Sequence, residues 1–278
     1  MKLMIFILAA ALGGAEQFSR TIEKSFPLTG NSRAVVVCGT NGGIEVTGTD
    51  GNEVRFTVKE ELEAGSAERL EELKKAVEVA FRAEGGTVTA AMKSPWSGDE
   101  CGGKARGEGR RWDYKTTRVK QTMTVSAPRD ARVELRTVNG SIQVTGMRGA
   151  YAVRTVNGGI TMEGLEGSGE VRTVNGTVKA VYRKNPTAET QFKTVNGKLD
   201  LYFQPPLNAD FSMNTVNGKA YTDFDMTATG TTEEAKGMKV IQRRGGTGTL
   251  RAGSGGVKIS TETVNGSILI HSLEKERR

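Results

Sequence analysis

The sequence predicts an all-β chain: a parallel β-solenoid (β-helix) preceded by an N-terminal β-rich cap that carries one short helix. Three observations predict it. The tetrapeptide Thr-Val-Asn-Gly begins at Thr137, Thr155, Thr173, Thr194, Thr215 and Thr263, a nearly regular series with one long interval before the last copy. Alternating, often β-branched residues frame each copy, and 36 glycines beside only 6% aromatics argue against a bulky globular core. Self-similarity at a near-constant short period is the mark of stacked repeats, each too small to bury an apolar face alone.

The strands come from the alternation. Val133, Leu135 and Thr137 precede the first Asn-Gly and Ile142 and Val144 follow it; Val153, Thr155, Ile160 and Met162 repeat the frame, as do Val171, Thr173 and Val178. Period-two patterning of this kind describes short, half-buried strands. The corners come from the dipeptides Asn139-Gly140, Asn157-Gly158, Asn175-Gly176, Asn196-Gly197, Asn217-Gly218 and Asn265-Gly266. Both residue types tolerate the left-handed backbone of a sharp turn, so their first role is structural. Asn-Gly is also the strongest hairpin signal, but an antiparallel meander would not force one corner to recur at constant spacing. Stacked coils would, with equivalent residues about 4.8 Å apart. The expectation is therefore that consecutive copies lie on one another, corner asparagine upon corner asparagine.

Departures from the period are read as local. Asn185-Pro186 and Gln204-Pro205-Pro206 fall in the slightly longer intervals after Thr173 and Thr194, and predict corner loops that grew without changing the rung. Residues 221–250 predict a lateral excursion or hairpin, Ala252-Gly253-Ser254-Gly255-Gly256 a degenerate copy, and Gly39-Thr40-Asn41-Gly42-Gly43-Ile44 an early relative of the repeat.

Residues 16–128 read differently and predict the cap that a stack of coils needs over its open end. Strands are expected near residues 35–37, 44–46, 54–58, 77–82, 87–92 and 119–125, the fourth and fifth joined through Gly85-Gly86. Ser66 is placed to cap a helix running to about residue 76, with Leu70, Leu73 and Val77 on one face. The repeat domain then spans residues 129–278.

Residues 1–15 have the layout of a secretory signal peptide: Lys2, an apolar run, then Gly13, Gly14 and Ala15, with cleavage expected after Ala15. The run is about ten residues, short of the roughly 20 that a spanning helix needs, so no transmembrane anchor is expected after cleavage. The chain is expected to be exported, to the periplasm, the cell surface or beyond. Cys38 and Cys101 would then meet an oxidising compartment, but the sequence leaves open whether they pair. Charge is uneven: residues 16–128 hold 17 Lys/Arg and 17 Asp/Glu, whereas residues 129–278 hold 21 and 15. A basic repeat half favours anionic partners, or simply solubility.

These parts, in this order, resemble a bacterial family of β-strand-repeat proteins known as putative adhesins, a domain of unknown function. The resemblance rests on Ile44-Glu45-Val46-Thr47-Gly48, the turn and strand Asp50-Gly51-Asn52-Glu53-Val54, the Ser66-initiated helix, Val125-Ser126-Ala127-Pro128 and the serial Thr-Val-Asn-Gly copies. It covers nearly all of the chain after residue 15, and implies an exported β-helix-like fold and, by the family's name, adhesion. The Gly- and Arg-rich stretch around Cys101 departs from the pattern.

Enzymatic constellations are poorly represented. The single histidine, His271, has no cysteine near it in sequence, no nucleophile-elbow signature is present, and the calcium-roll pattern lacks its Asp, so neither metal nor other cofactor is expected. A carbohydrate-active enzyme, a polysaccharide lyase or hydrolase on a β-helix, is the alternative; it would need a carboxylate pair such as Asp223 and Asp225 or Glu233 and Glu234. The sharper signal precedes each corner, where Arg136, Arg154, Arg172 and Lys193 hold one repeat position. Stacked coils would align them in a cationic column able to bind an extended anionic envelope polysaccharide, or would leave them as a water-facing row. Trp96, Arg110, Arg111 and Trp112 form a second candidate surface, since aromatics among arginines can stack on sugars and hold carboxylates; they could equally pin a long loop. Nucleic acid is not an expected partner of an exported protein, and the oligomeric state is left open. The sequence thus points to a non-enzymatic adhesion or scaffolding module of the cell envelope.

Overall fold

The computed structural model describes residues 4–12, 15–30, 33–93, 101, 117–228, 233–235, 238–242 and 246–274. They are almost wholly β, with one short helix, and divide into two compact units, residues 1–140 and 141–278. No helix among the described residues is long and apolar enough to cross a membrane.

The first unit runs β1 (Met4–Leu12), β2 (Ala15–Pro27), β3 (Ala34–Cys38), β4 (Ile44–Thr49), β5 (Glu53–Ala64), α1 (Ala67–Ala76), β6 (Glu78–Glu84), β7 (Thr87–Lys93), β8 (Thr117–Pro128) and β9 (Arg132–Arg136). One sheet has the order β1-β2-β5-β8-β4 and the other β9-β3-β7-β6. The apolar run expected to be a signal peptide forms β1, antiparallel to β2. Ser66 sits in extended backbone and its Oγ accepts the Arg69 amide at 3.3 Å, capping α1, whose Leu70 and Leu73 are buried. In β5 every second residue from Val54 to Ala64 faces inward, and this places Glu60 in the interior. That carboxylate meets Arg20 at 2.6 Å and Gln121 at 2.5 Å, as a buried charge must be paired. Gly85 and Gly86, both with positive φ, close the β6–β7 hairpin, as the primed turns of tight hairpins require.

The second unit runs β10 (Ile142–Thr145), β11 (Tyr151–Arg154), β12 (Ile160–Leu165), β13 (Gly169–Arg172), β14 (Val178–Tyr182), β15 (Thr190–Asn196), β16 (Leu199–Phe203), β17 (Ala209–Thr215), β18 (Ala220–Thr222), β19 (Met226–Ala228), β20 (Glu233–Ala235), β21 (Met238–Gln242), β22 (Gly246–Ala252), β23 (Val257–Asn265) and β24 (Ile268–Ser272). One sheet has the order β10-β12-β14-β16-β24-β18-β21-β20 and the other β11-β13-β15-β23-β17-β22-β19. A strand of the second sheet, a Thr-Val-Asn-Gly corner and a strand of the first make one layer. Layers pair in parallel: Ile142 opposes Ile160, Ile160 opposes Val178 and Val178 opposes Leu199, each one repeat further along the chain. The residues that lengthen the last of these intervals fall in the corner after β14, where Asn185 Nδ2 donates to the Gln204 carbonyl at 2.7 Å and Asn185 Oδ1 accepts the Gln204 amide.

Two expectations fail. Layers do not follow chain order at the end: β23 lies between β15 and β17, and β24 between β16 and β18, so the copy at Thr263 is seated between those at Thr194 and Thr215. The preceding segment turns back, with β21 antiparallel to β18 and β22 antiparallel to β17, and covers both edges of the layer that would otherwise be terminal. The stretch expected to be a degenerate copy ends β22 at Ala252 and turns through 253–256 into β23, with Gly253, Gly255 and Gly256 at positive φ.

The second failure concerns the corners. Apart from Gly42, none of the corner residues among those described has positive φ; the dipeptide is not there for left-handed backbone. The glycine is needed because layers approach closely. A Cβ on Gly176 would fall on the carbonyl oxygen of Gly158, one on Gly197 on that of Gly176, one on Gly266 on that of Gly197, and one on Gly218 on that of Gly266. The buried threonine donates to the same row of carbonyls: Thr173 to Gly158 at 2.9 Å, Thr194 to Gly176 at 3.0 Å, Thr263 to Gly197 at 3.0 Å and Thr215 to Gly266 at 3.1 Å. Asparagine closes the outside. Asn175 Nδ2 donates to Asn157 Oδ1, Asn196 to Asn175, Asn265 to Asn196 and Asn217 to Asn265, all at 2.7–2.8 Å. The first unit builds the same corner from Thr40-Asn41-Gly42 and Thr137 to Gly140, with Thr137 donating to the Gly42 carbonyl and Asn139 Nδ2 to Asn41 Oδ1.

Between the sheets run registered apolar columns, such as Ile142, Ile160, Val178, Leu199 and Ile268. Tyr151 and Tyr182 meet hydroxyl to hydroxyl inside this core, and burial pushes both phenols above their ordinary range. Gly169 makes room, since a Cβ there would strike the Tyr151 carbonyl.

Gly197→Ala should destabilise the protein by about 1–3 kcal/mol, through backbone that must shift to admit the methyl group; a denaturant midpoint equal to that of the wild type would refute the close approach. A tyrosine neutral in the fold and ionisable when unfolded stabilises below the unfolded pKa of about 10, and that contribution is lost as pH rises. Absorbance of tyrosinate should therefore show two of the five tyrosines silent until the chain unfolds in alkali; smooth titration of all five in folded protein would contradict the burial.

Candidate functional site

The outward face of β11, β13, β15, β23 and β17 is built by register. Residues one before each corner threonine alternate away from the core, so Arg154 opposes Arg172, Arg172 opposes Lys193, Lys193 opposes Glu262 and Glu262 opposes Asn214. The row of cations exists for three layers of the second unit and then meets a carboxylate, because the chain's last copy intrudes there. Unscreened, like charges one strand apart would repel. Glu170, two residues before Arg172 on the same face, lies 2.7 Å from Arg154 and also pairs with Arg172. Arg172 further donates to Gln191 at 3.0 Å, and Lys193 pairs with Glu262 at 2.7 Å. Three cations and two carboxylates leave one net positive charge. Arg154 and Arg172 remain 44% and 45% exposed and Lys193 35%, so each head group can still reach a ligand.

Arg136 belongs to the first unit and is held otherwise. It pairs with Glu134 and donates to the Cys101 carbonyl at 3.1 Å. Cys101 is bridged to Cys38 with a Cα–Cα distance of 5.4 Å. The bridge joins positions 63 apart in sequence, a loop for which the chain-entropy relation gives about 4 kcal/mol. Trp96, Arg110, Arg111 and Trp112 lie outside the described residues.

Beside the cations, one residue beyond each corner threonine, runs a row of valines. Val156, Val174 and Val216 are 38%, 38% and 48% exposed, and Val195 and Val264 are half-buried. The edge of the corner stack is thus an apolar ridge flanked by the asparagine ladder. Sequence reasoning misses this ridge, although its signal, a valine at the same outward position of every copy, is there.

His271 has carboxylates on both sides: Nε2 is 3.1 Å from Asp200 and Nδ1 3.4 Å from Asp223, while Tyr202 stacks on its ring at 4.6 Å. Lys198 pairs with Asp200 at 2.8 Å, and Asp223 accepts the Ser272 amide at 3.2 Å. Asp223, half of one carboxylate pair that glycan cleavage would need, is thereby engaged in holding β24 between its neighbours. Glu233 and Glu234 lie on β20. Among the described residues no three His, Cys, Asp or Glu side chains converge as a metal site.

No family model matches the chain, and no curated protein does. Among solved structures it is similar to a putative cell adhesion protein from Clostridium sporogenes at 10% identity and a TM-score of 0.38, covering 91% of this chain and 99% of that one. A putative adhesin from Bacteroides fragilis is similar at 12% identity and a TM-score of 0.40, with 91% and 97% covered. A putative lipid binding protein from Parabacteroides distasonis is similar at 10% and 0.27, with 90% and 96% covered.

Proposed function

We propose that this chain is an exported, non-enzymatic module of the bacterial cell envelope, an adhesin or scaffold built as a β-solenoid. In this reading each Thr-Val-Asn-Gly layer is one coil, and residues 16–128 are the cap. Cleavage after Ala15 would remove β1 and leave β2 as an edge strand. The module presents Arg154, Arg172 and Lys193 to an extended anionic polysaccharide. The observation that carries the proposal is their register: each is opposite the next, on a surface that the corners below hold at strand spacing. Their carboxylate partners fix the guanidinium positions without consuming them. Exposed ion pairs of this kind contribute about 0–1 kcal/mol, so a polymer carboxylate or sulfate can replace Glu170 at small cost.

Residues 16–278 should be retained on an acidic polysaccharide and released by salt, with the polymer left at its original length. Replacing Arg154, Arg172 and Lys193 together by Gln removes three contacts of about 0.5 kcal/mol each and should weaken retention about tenfold. Glu170→Gln, which frees both arginines, should strengthen it. Retention that ignores salt and all four substitutions would reject the basic face as the binding surface; shortened polymer would mark an enzyme.

A further inference from the structure

The layer made by β23 and β24 is the one supplied out of turn. Its partners are β15 and β16 on one side and β17 and β18 on the other, and both pairs precede it in the chain, with β19 to β22 between. Without residues 257–272, each of those two earlier layers would present a row of open backbone groups on the side that now pairs with β23 and β24. Such edges are templates for any strand of matching pattern.

The match is specific. The Gly197 amide donates to the Asn265 carbonyl at 3.1 Å and the Leu199 amide to the Ser267 carbonyl at 3.0 Å; on the other side the Asn217 amide donates to the Val264 carbonyl at 2.7 Å, and the Ile268 amide to the Lys219 carbonyl at 3.0 Å. Asn265 joins the amide ladder on both sides, Lys193 pairs with Glu262, and His271 lies between Asp200 and Asp223. These partners all lie on β15 to β18 or immediately after them. The segment reaches the slot from β22 through the glycine turn at 253–256. Nothing in the slot therefore distinguishes this molecule's own last repeat from the identical repeat of another.

We infer that the slot accepts the C-terminal repeat, residues 257–272, of a second copy of this chain, so that molecules associate by strand exchange. Reciprocal exchange closes a dimer, and exchange in one direction extends a chain of molecules. The occupant is a second copy because the corner Thr-Asn-Gly contacts come together with Glu262 and His271 only in this repeat.

The test uses two full chains, one carrying Ser212→Cys and the other Ser260→Cys, residues that oppose each other across β17 and β23 and point outward. With the Cys38–Cys101 bridge intact, the two are mixed, refolded together and treated with a short thiol cross-linker. A chain carrying both substitutions should cross-link within itself, which checks the register. The mixture should give a cross-linked heterodimer whose fraction rises about tenfold over a tenfold rise in chain concentration, as mass action requires. A control mixture of Gln143→Cys with Ser260→Cys, distant in the sheets, should not. The proposal is overturned if the double variant links internally while the mixture yields no heterodimer, if the control mixture links equally well, or if the double variant fails to link at all.

Discussion

The structure depends on how closely neighbouring layers approach at the corner. Gly176, Gly197, Gly218 and Gly266 each sit directly against the carbonyl of the glycine in the adjoining layer, a distance that any side chain would prevent. Once layers are that close, the remaining atoms of the motif have little freedom. The threonine hydroxyl is buried and donates to that same glycine carbonyl, while the asparagine amide finds the asparagine of the next layer. A buried hydroxyl left unpaired would cost about 1–3 kcal/mol, so the threonine satisfies itself and the carbonyl together. Three of the four residues thus meet one constraint each, and the valine, which meets none, is left on the outside.

This corner explains the surface as well as the core. Because the corner sets the register, side-chain alternation is in phase in every layer, and a residue one before the threonine is outward in all of them. A single repeated sequence position thereby becomes a line of groups at strand spacing. Such a line of bare cations would oppose stacking; Glu170 and Glu262 offset that repulsion and leave the heads exposed. The same logic places His271 where its ring meets a carboxylate from the layer before and one from the layer after.

Much of this is legible in the sequence, and the failures have identifiable causes. The alternation around Val153 and Ile160, the constant spacing and the capping Ser66 point to strands, parallel stacking and α1, because each is a local signal read against a known period. The use of glycine is where the sequence misleads: Asn-Gly ordinarily reports left-handed backbone, and only the neighbouring layer reveals that the demand is steric. The order of the last layers is equally hidden. Every copy carries the same tetrapeptide, so pairing preference alone cannot say whether Thr215 or Thr263 follows Thr194; the antiparallel return of β21 and β22, which occupies the far side of β17 and β18, decides it. Glu262 escapes notice as the partner of Lys193 for that reason, since three further repeat strands and the whole excursion separate them in the chain.

Hydrogen exchange of the asparagine side-chain amides, followed by NMR, tests the corner stack most directly. One amide proton of each of Asn175, Asn196, Asn265 and Asn217 is held by the asparagine of the adjoining layer, and should exchange measurably more slowly than the amide of a free asparagine. Exchange of all four at the free rate in folded protein would mean that the corners do not stack in register, and the account built on them would fail.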